Sequence, residues 1–230
     1  MLKLNSGENI EDLGEYGLRI IQARGMYRFT QDAILLSRFI RIKKNEKIID
    51  LGSGSGIIPI LLSKRKEGLS VYGIEIQKKL ASMSKRSVRL NQLEETVKIL
   101  HADIKNVRKL FESNQFDVVI SNPPYISLGK GIIESVNSRS IARHEIKCNI
   151  EDIVMQGGYL LKHRGRMYLI FKCSRLIDLI IIFRKYGIEP KEIRFVHFEK
   201  KRNAELFLIE GVKGGNKELK IGKPLFIQDE

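Results

Sequence analysis

The sequence predicts an α/β fold built on a mostly parallel sheet, and three observations carry that reading. Short apolar runs of strand length, Lys47 to Leu51, Val71 to Glu75, Val97 to Leu100 and Phe116 to Ile120, alternate with segments of helical period. That alternation calls for crossover helices covering a parallel sheet on both faces. A glycine-rich stretch, Gly52-Ser53-Gly54-Ser55-Gly56, stands at a strand-to-helix switch, where open α/β sheets bind their ligands. Near the end, Ile193 to Phe198 and Glu205 to Glu210 read as an antiparallel pair joined to the sheet. With Arg166 to Phe171 the sheet has seven strands.

The remaining elements follow in order. Leu18 to Gln22 is a candidate strand and Ala23 to Tyr27 a turn. Thr30 caps a helix over Gln31 to Arg41, with Ala33, Leu36 and Ile40 on one face. Ile57 to Lys66 is the helix after the glycines. Gln77 to Asn91 is a helix with Leu80, Met83, Val88 and Leu90 on its apolar side and Lys78, Lys79, Lys85, Arg86 and Arg89 opposite. Ile126 to Asn149 shows little periodicity; Ile150 to Leu161 and Ser174 to Tyr186 read as helices. Ile126 to Lys147 is expected to be a mobile substrate loop that orders on its ligand, because a long aperiodic stretch inside a domain is usually functional.

The 230 residues, 43% hydrophobic, suit a single domain over 1–230 with a sizeable core. A net charge of +14, from 41 basic residues spread along the chain, points to a polyanionic partner, nucleic acid first. Cys148 and Cys173 are far apart, and neither the cysteines nor the four histidines show metal-ligand spacing. The expectation is a cytoplasmic protein with neither disulfide nor metal. The longest apolar run, Leu179 to Phe183, is far short of a membrane span, so no membrane association is expected.

The chemistry centres on Asn122-Pro123-Pro124-Tyr125, reached directly from Phe116 to Ile120. Two consecutive prolines end the strand and hold Asn122 extended at its tip. An amide oxygen, a carbonyl and an aromatic ring together suit a planar NH2 group: two acceptors for its hydrogens and a face for the base or amide that carries it. Upstream, Gly-x-Gly-x-Gly is neither the dinucleotide fingerprint nor a phosphate loop. Asp50 ends the strand before the glycines, Glu75 ends the next strand in position for a ribose diol, and Asp103 follows the third strand.

On these residues the chain resembles the class I S-adenosylmethionine-dependent methyltransferases that modify amino nitrogens. Phe29-Thr30-Gln31-Asp32, Ile141-Ala142-Arg143-His144-Glu145, Lys213-Gly214-Gly215 and Pro224-Leu225 further resemble the bacterial tRNA adenine-37 N6-methyltransferases acting on valine tRNA. Phe226-Ile227-Gln228 departs from that pattern, a Tyr being expected near there. The resemblance implies a Rossmann-like fold in which residues 1–46 form an extension over the cofactor and substrate side. It implies that S-adenosyl-L-methionine, leaving as S-adenosyl-L-homocysteine, is held by Phe29, Thr30, Asp50, Gly52, Ser53, Gly54, Gly56, Glu75, Ile76, Asp103, Ile104 and Asn122, without a metal. Asn122, Pro123, Pro124 and Tyr125 would hold the target base. Arg139, Arg143, Lys147, Lys200, Lys201 and Arg202 would contact tRNA, with no obligate protein partner. Competing readings are a protein glutamine N5-methyltransferase, disfavoured because only 49 residues precede Asp50, a methyltransferase for an exocyclic amine in ribosomal RNA or DNA, and an RNA-binding module with an inactive cofactor pocket.

Overall fold

The computed structural model describes residues 4–23, 31–123 and 149–227. Phe29, Thr30, Pro124, Tyr125, Arg139, Arg143 and Lys147, the turn at 24–27 and the expected loop Ile126 to Lys147 lie outside the described residues.

The chain enters through a hairpin of β1 (Glu8–Asp12) and β2 (Arg19–Ala23), followed by α1 (Gln31–Phe39). Then come β3 (Lys47–Leu51), α2 (Ile57–Ser63), β4 (Ser70–Glu75), α3 (Lys78–Leu90), β5 (Val97–His101) and, past a short 3-10 turn, β6 (Phe116–Ser121). After residue 149 follow α4 (Ile150–Leu160), β7 (Leu161–Lys172), α5 (Leu176–Lys185), β8 (Ile188–His197), β9 (Leu206–Lys213), and the two-residue strands β10 (Lys220–Ile221) and β11 (Leu225–Phe226). The long strands form one sheet in the order β8-β9-β7-β6-β3-β4-β5, with β10 and β11 on the outer edge of β8. Pairs from β5 through β7 are parallel; β9 runs antiparallel to both β7 and β8. The seven-stranded, mostly parallel sheet with a terminal antiparallel pair is as the sequence predicts.

Strand alternation sorts the core into two layers. Ile48, Val118, Ile120, Tyr168 and Ile170 face α1, α2 and α3. Their neighbours Ile49, Val119, Met167, Leu169 and Phe171 face α4 and α5. Each strand is apolar on both faces because each face is covered.

Several boundaries differ from the sequence reading. α2 stops at Ser63 and α1 at Phe39. β7 starts at Leu161, ahead of the expected Arg166, across a register shift that accommodates Arg164 at φ 65°. β8 starts at Ile188 although Pro190 lies within it; a second register shift at Pro190 absorbs the missing N–H. β1 was not anticipated, since Glu-Asn-Ile-Glu-Asp carries no hydrophobic alternation and gains strand geometry only by pairing with β2.

Two clamps tie outlying parts to the sheet. Lys213 donates to the Asn114 side chain (2.9 Å) and to the carbonyls of Gly158 (2.6 Å) and Leu161 (2.8 Å), at the edge opposite the β6 tip; burial lowers its pKa. The Lys-Gly-Gly motif is thus a structural joint. The hairpin is fastened to α3 by Arg86, paired with both oxygens of Glu8 (2.6 Å to one), by Ser87 Oγ accepting the Ile21 N–H (2.9 Å), and by Asn91, whose amide exchanges two hydrogen bonds with the Arg19 backbone.

Arg86 holds the Glu8 carboxyl down to about 2. The stability this contributes is complete above the ordinary glutamate range and is lost as pH falls through about 2. Glu8→Gln is expected to cost about 1–3 kcal/mol at pH 7 and to flatten the acid limb of urea midpoints measured between pH 2 and 5.

Candidate active site

The sheet order reverses between β3 and β6: the chain winds outward from β3 through β4 to β5, then returns to lay β6 on the other side of β3. Side chains at the carboxyl ends of these two strands therefore meet over a crevice. Ser121 Oγ donates to the Leu51 carbonyl at 2.7 Å and locks the two strand ends together.

The glycine loop fills this switch point. Gly52, Gly54 and Gly56 have φ of 82°, 54° and 81°, conformations that side chains disfavour. The N–H groups of Gly52 and Ser53 both donate to Ile74 O (2.9 Å each), folding the loop onto β4. Glu75 accepts from Gly54 N–H (2.9 Å) with one oxygen and from Gln77 N–H (2.7 Å) with the other. Ser84 of α3 donates to Gly54 O at 2.8 Å. The loop is thus held before any ligand arrives.

Asp50, Gly52, Ser53, Gly54, Ser55 and Asn122 line a narrow cleft, with Ala33 of α1 and Ile57 and Ile58 of α2 forming its apolar wall. Of the residues expected to bind a cofactor, five are brought together here: Asp50, Gly52, Ser53, Gly54 and Asn122. Gly56 opens α2 as its N-cap residue. Pro123 follows Asn122 and is buried. Asp103 sits past the end of β5 and caps the next turn by accepting Lys105 N–H at 2.9 Å. Ile76 is exposed, while Ile104 reaches within 3.9 Å of a methyl position at Gly52. Lys105 pairs with Asp152 (3.0 Å) and Arg108 donates to Gln156 (3.1 Å), bracing the segment after Asp103 against α4.

Asp50 is 1% exposed and its Oδ1 meets no hydrogen-bond donor. Burial, with Glu75 nearby, pushes its carboxyl up to about 8. Burial also raises Glu75, against the backbone donors that pull it down. In the free protein Asp50 keeps a proton that the unfolded chain releases, so its contribution to stability is greatest in acid and is lost as pH rises through about 8. A cation placed against it reverses this, drawing the proton off. A buried acid awaiting a cation, apolar walls, unpaired serine hydroxyls and Glu75 at the neighbouring strand tip fit the amino acid, sulfonium and ribose of S-adenosylmethionine.

Of the cations expected to contact RNA, the three among the described residues fall at one edge. β8 runs parallel to β7, so the β8–β9 turn carrying the exposed Lys200, Lys201 and Arg202 lies on the same sheet edge as Asn122. Arg202 pairs with Glu199 at 3.1 Å. β11 also reaches this edge: Phe226 stacks on His197 at 5.2 Å between centroids. Among the described residues no helix is long and apolar enough to cross a membrane, and no group of acidic, histidine or cysteine side chains could hold a metal.

Sequence reasoning passed over Ala33, Ser55, Ile57, Ile58, Ser84 and Gly73. The signal for Gly73 was a glycine within a strand pattern, which marks close backbone approach. A Cβ there would stand 2.8 Å from Ser53 Oγ and 2.7 Å from Ile99 Cδ1. Gly73→Ala is expected to displace the loop, cost about 1–3 kcal/mol in thermal unfolding, and weaken cofactor uptake measured by calorimetry.

Comparison with known proteins agrees with this fold. The model of the methyltransferase small domain matches residues 28–174. A tRNA1(Val) (adenine(37)-N6)-methyltransferase of Porphyromonas gingivalis is 28% identical over 160 residues, 67% of this chain and 62% of that protein. One of the same description from Aeromonas salmonicida is 22% identical over 158 residues, 68% of this chain and 64% of its own. The chain thus spans somewhat under two thirds of the length of these relatives. Among solved structures, a predicted O-methyltransferase from Agrobacterium tumefaciens superposes with a TM-score of 0.69 at 22% identity, over 85% of this chain and 87% of that one. Geranyl diphosphate C-methyltransferase from Streptomyces coelicolor, solved with S-adenosyl-L-homocysteine, gives 0.60 at 12% identity, over 80% of this chain and 78% of its own. These structures share the fold, and the family match covers well over half of the sequence: the chain belongs to the methyltransferase small domain family.

Proposed function

We propose that this protein transfers a methyl group from S-adenosylmethionine to the N6 amino group of an adenine in tRNA, adenine 37 of a valine tRNA in particular. The observation that carries the reading is Asn122-Pro123 at the tip of β6, beside the cleft that also holds Asp50 and the glycine loop. The names of the relatives support the choice of substrate.

In this reading Asp50 and the loop from Gly52 to Gly56 hold the amino-acid end of the cofactor. Glu75 takes the ribose hydroxyls through the lone pairs left beside its two backbone bonds. Ile76 and Ile104 flank the adenine, and Asp103 accepts from its amino group. Phe29 and Thr30, in an extension of residues 1–46, close over the cofactor. When bound, S-adenosylmethionine supplies an electrophilic methyl on a sulfonium.

The adenine amine is a poor nucleophile because its lone pair is delocalised. The protein's contribution is accordingly orientation, worth up to about 7–11 kcal/mol in well-aligned systems. The Asn122 side-chain oxygen and the Pro123 carbonyl accept the two amine hydrogens and favour the positive charge that develops on nitrogen. Tyr125, next to Pro124, stacks on a base splayed from its loop, worth about 1–3 kcal/mol. Lys200, Lys201 and Arg202, with Arg139, Arg143 and Lys147, take tRNA phosphates, and the reaction takes place in the cytoplasm.

The deciding experiment offers the protein labelled cofactor with total tRNA, ribosomal RNA, duplex DNA and a release-factor protein. N6-methyladenosine in tRNA is the expected product; label in a protein glutamine overturns the reading. In the same assay Asn122→Ala is expected to abolish transfer while cofactor affinity stays within a few fold.

Affinity for tRNA is expected to fall steeply with salt. Replacing Lys200, Lys201 and Arg202 together by Ala should make the slope of log affinity against log salt shallower, by about 1 per lost phosphate contact. Filter binding between 50 and 200 mM salt checks this, and an unchanged slope removes the turn from the interface.

A further inference from the structure

Among the described residues, six buried side-chain polar atoms have no hydrogen-bond partner: Asp50 Oδ1, Ser53 Oγ, Ser55 Oγ, both amide atoms of Gln22, and the Tyr168 hydroxyl. Native structures leave few such atoms, and each calls for a reason. Asp50, Ser53 and Ser55 belong to the cleft. Gln22 comes from the N-terminal hairpin, within the 1–46 extension expected over the cofactor side, where no residue before Phe29 has been given a role.

Its position follows from the clamp on α3. Arg19 lies at Asn91 and Ile21 at Ser87, so β2 runs antiparallel to α3 and Gln22 stands beyond Ser87, toward Ser84. Ser84 is the residue whose hydroxyl holds Gly54 O. Gln22 also shares a strand face with Ile20. Ile20 packs in the cluster containing Ala33, Ile57 and Ile58, the apolar wall of the cleft. Gln22 is 1% exposed, so a methionine would fill its place without stranding an amide.

The chemistry of the cleft says what the amide awaits. Among the described residues that line it, Asp50 is the charged one and none is basic. A zwitterionic amino acid bound there gives its ammonium to Asp50, while its carboxylate meets no cation among the described lining residues and calls for neutral donors. Gln22 brings two N–H donors in one side chain. On the methyl-transfer reading above, we infer that Gln22 donates to the carboxylate of the cofactor's amino-acid end, making the N-terminal hairpin part of the cofactor site. The Arg86–Glu8 pair and the Asn91 amide then act as positioning groups for Gln22.

The test compares two ligands by calorimetry on the full chain: S-adenosylhomocysteine, and 5′-methylthioadenosine, which lacks the amino acid. Gln22→Met is expected to weaken S-adenosylhomocysteine on the order of 10- to 100-fold, to leave methylthioadenosine unchanged, and not to lower the melting temperature of the free protein. Gln22→Glu, which places a carboxylate against a carboxylate, should lose S-adenosylhomocysteine at least as strongly and keeps the test open if the methionine variant folds poorly. Wild-type protein that binds both ligands while Gln22→Met weakens both alike, or neither, overturns this inference alone. Wild-type protein that binds neither overturns the methyl-transfer reading and this inference with it.

Discussion

The glycine loop, bent back onto β4, is the constraint on which the rest of the site depends. Gly52 and Ser53 share the carbonyl of Ile74, Gly54 is held from both sides by Glu75 and Ser84, and Ser53 rests over the bare backbone of Gly73. None of these contacts is strong alone, at about 1 kcal/mol net each. They are mutually dependent, because every one requires the loop to pass within hydrogen-bond range of β4 and α3. The outcome is a preformed concavity in which Asp50 Oδ1 and the hydroxyls of Ser53 and Ser55 are buried without partners. A site of this kind has met the cost of ordering before the ligand binds, which is the physical content of preorganisation.

That arrangement extends outward in both directions from the switch point. On one side α3 carries the hairpin through a charged pair, a serine and an asparagine that imitates backbone. On the other, Arg166 reaches from β7 to the Arg41 carbonyl (2.6 Å) and pairs with Glu46, while Arg41 pairs with Glu192 and with Glu210 (3.1 Å). These bonds pin the connection between α1 and β3 to the far strands. α1, which precedes that connection, contributes Ala33 to the cleft. Charges at the two edges of the sheet serve different ends. Lys213 at the edge opposite the site is spent on carbonyls, whereas Lys200 and Lys201 at the site edge are exposed.

Much of this was legible in the sequence because it is written in short-range signals. Lys47 to Leu51 and Phe116 to Ile120 are apolar runs ended by chemistry that no strand tolerates, glycines in one case and prolines in the other. Their boundaries came out within a residue. Elements lacking such punctuation were misjudged. β8 hides its first half behind Pro190, and β1 is a polar pentapeptide whose conformation is imposed by its neighbour. Asp103, expected from the sequence to hold the cofactor, caps the turn after β5 in the structure.

By itself the sequence determined the sheet, the loop and the identity of the acids at three strand tips, since period, glycine and proline act over a few residues. Only the tertiary structure decided that Gly73 must be bare, that Ser84 and Ser121 fasten the loop and the strand ends, and that the Gln22 amide is buried without a hydrogen-bond partner. Each of those roles comes from a contact between segments separated by 20 to 70 residues. Such contacts leave no periodic trace, because a serine or a glutamine gains its function from what the fold packs against it.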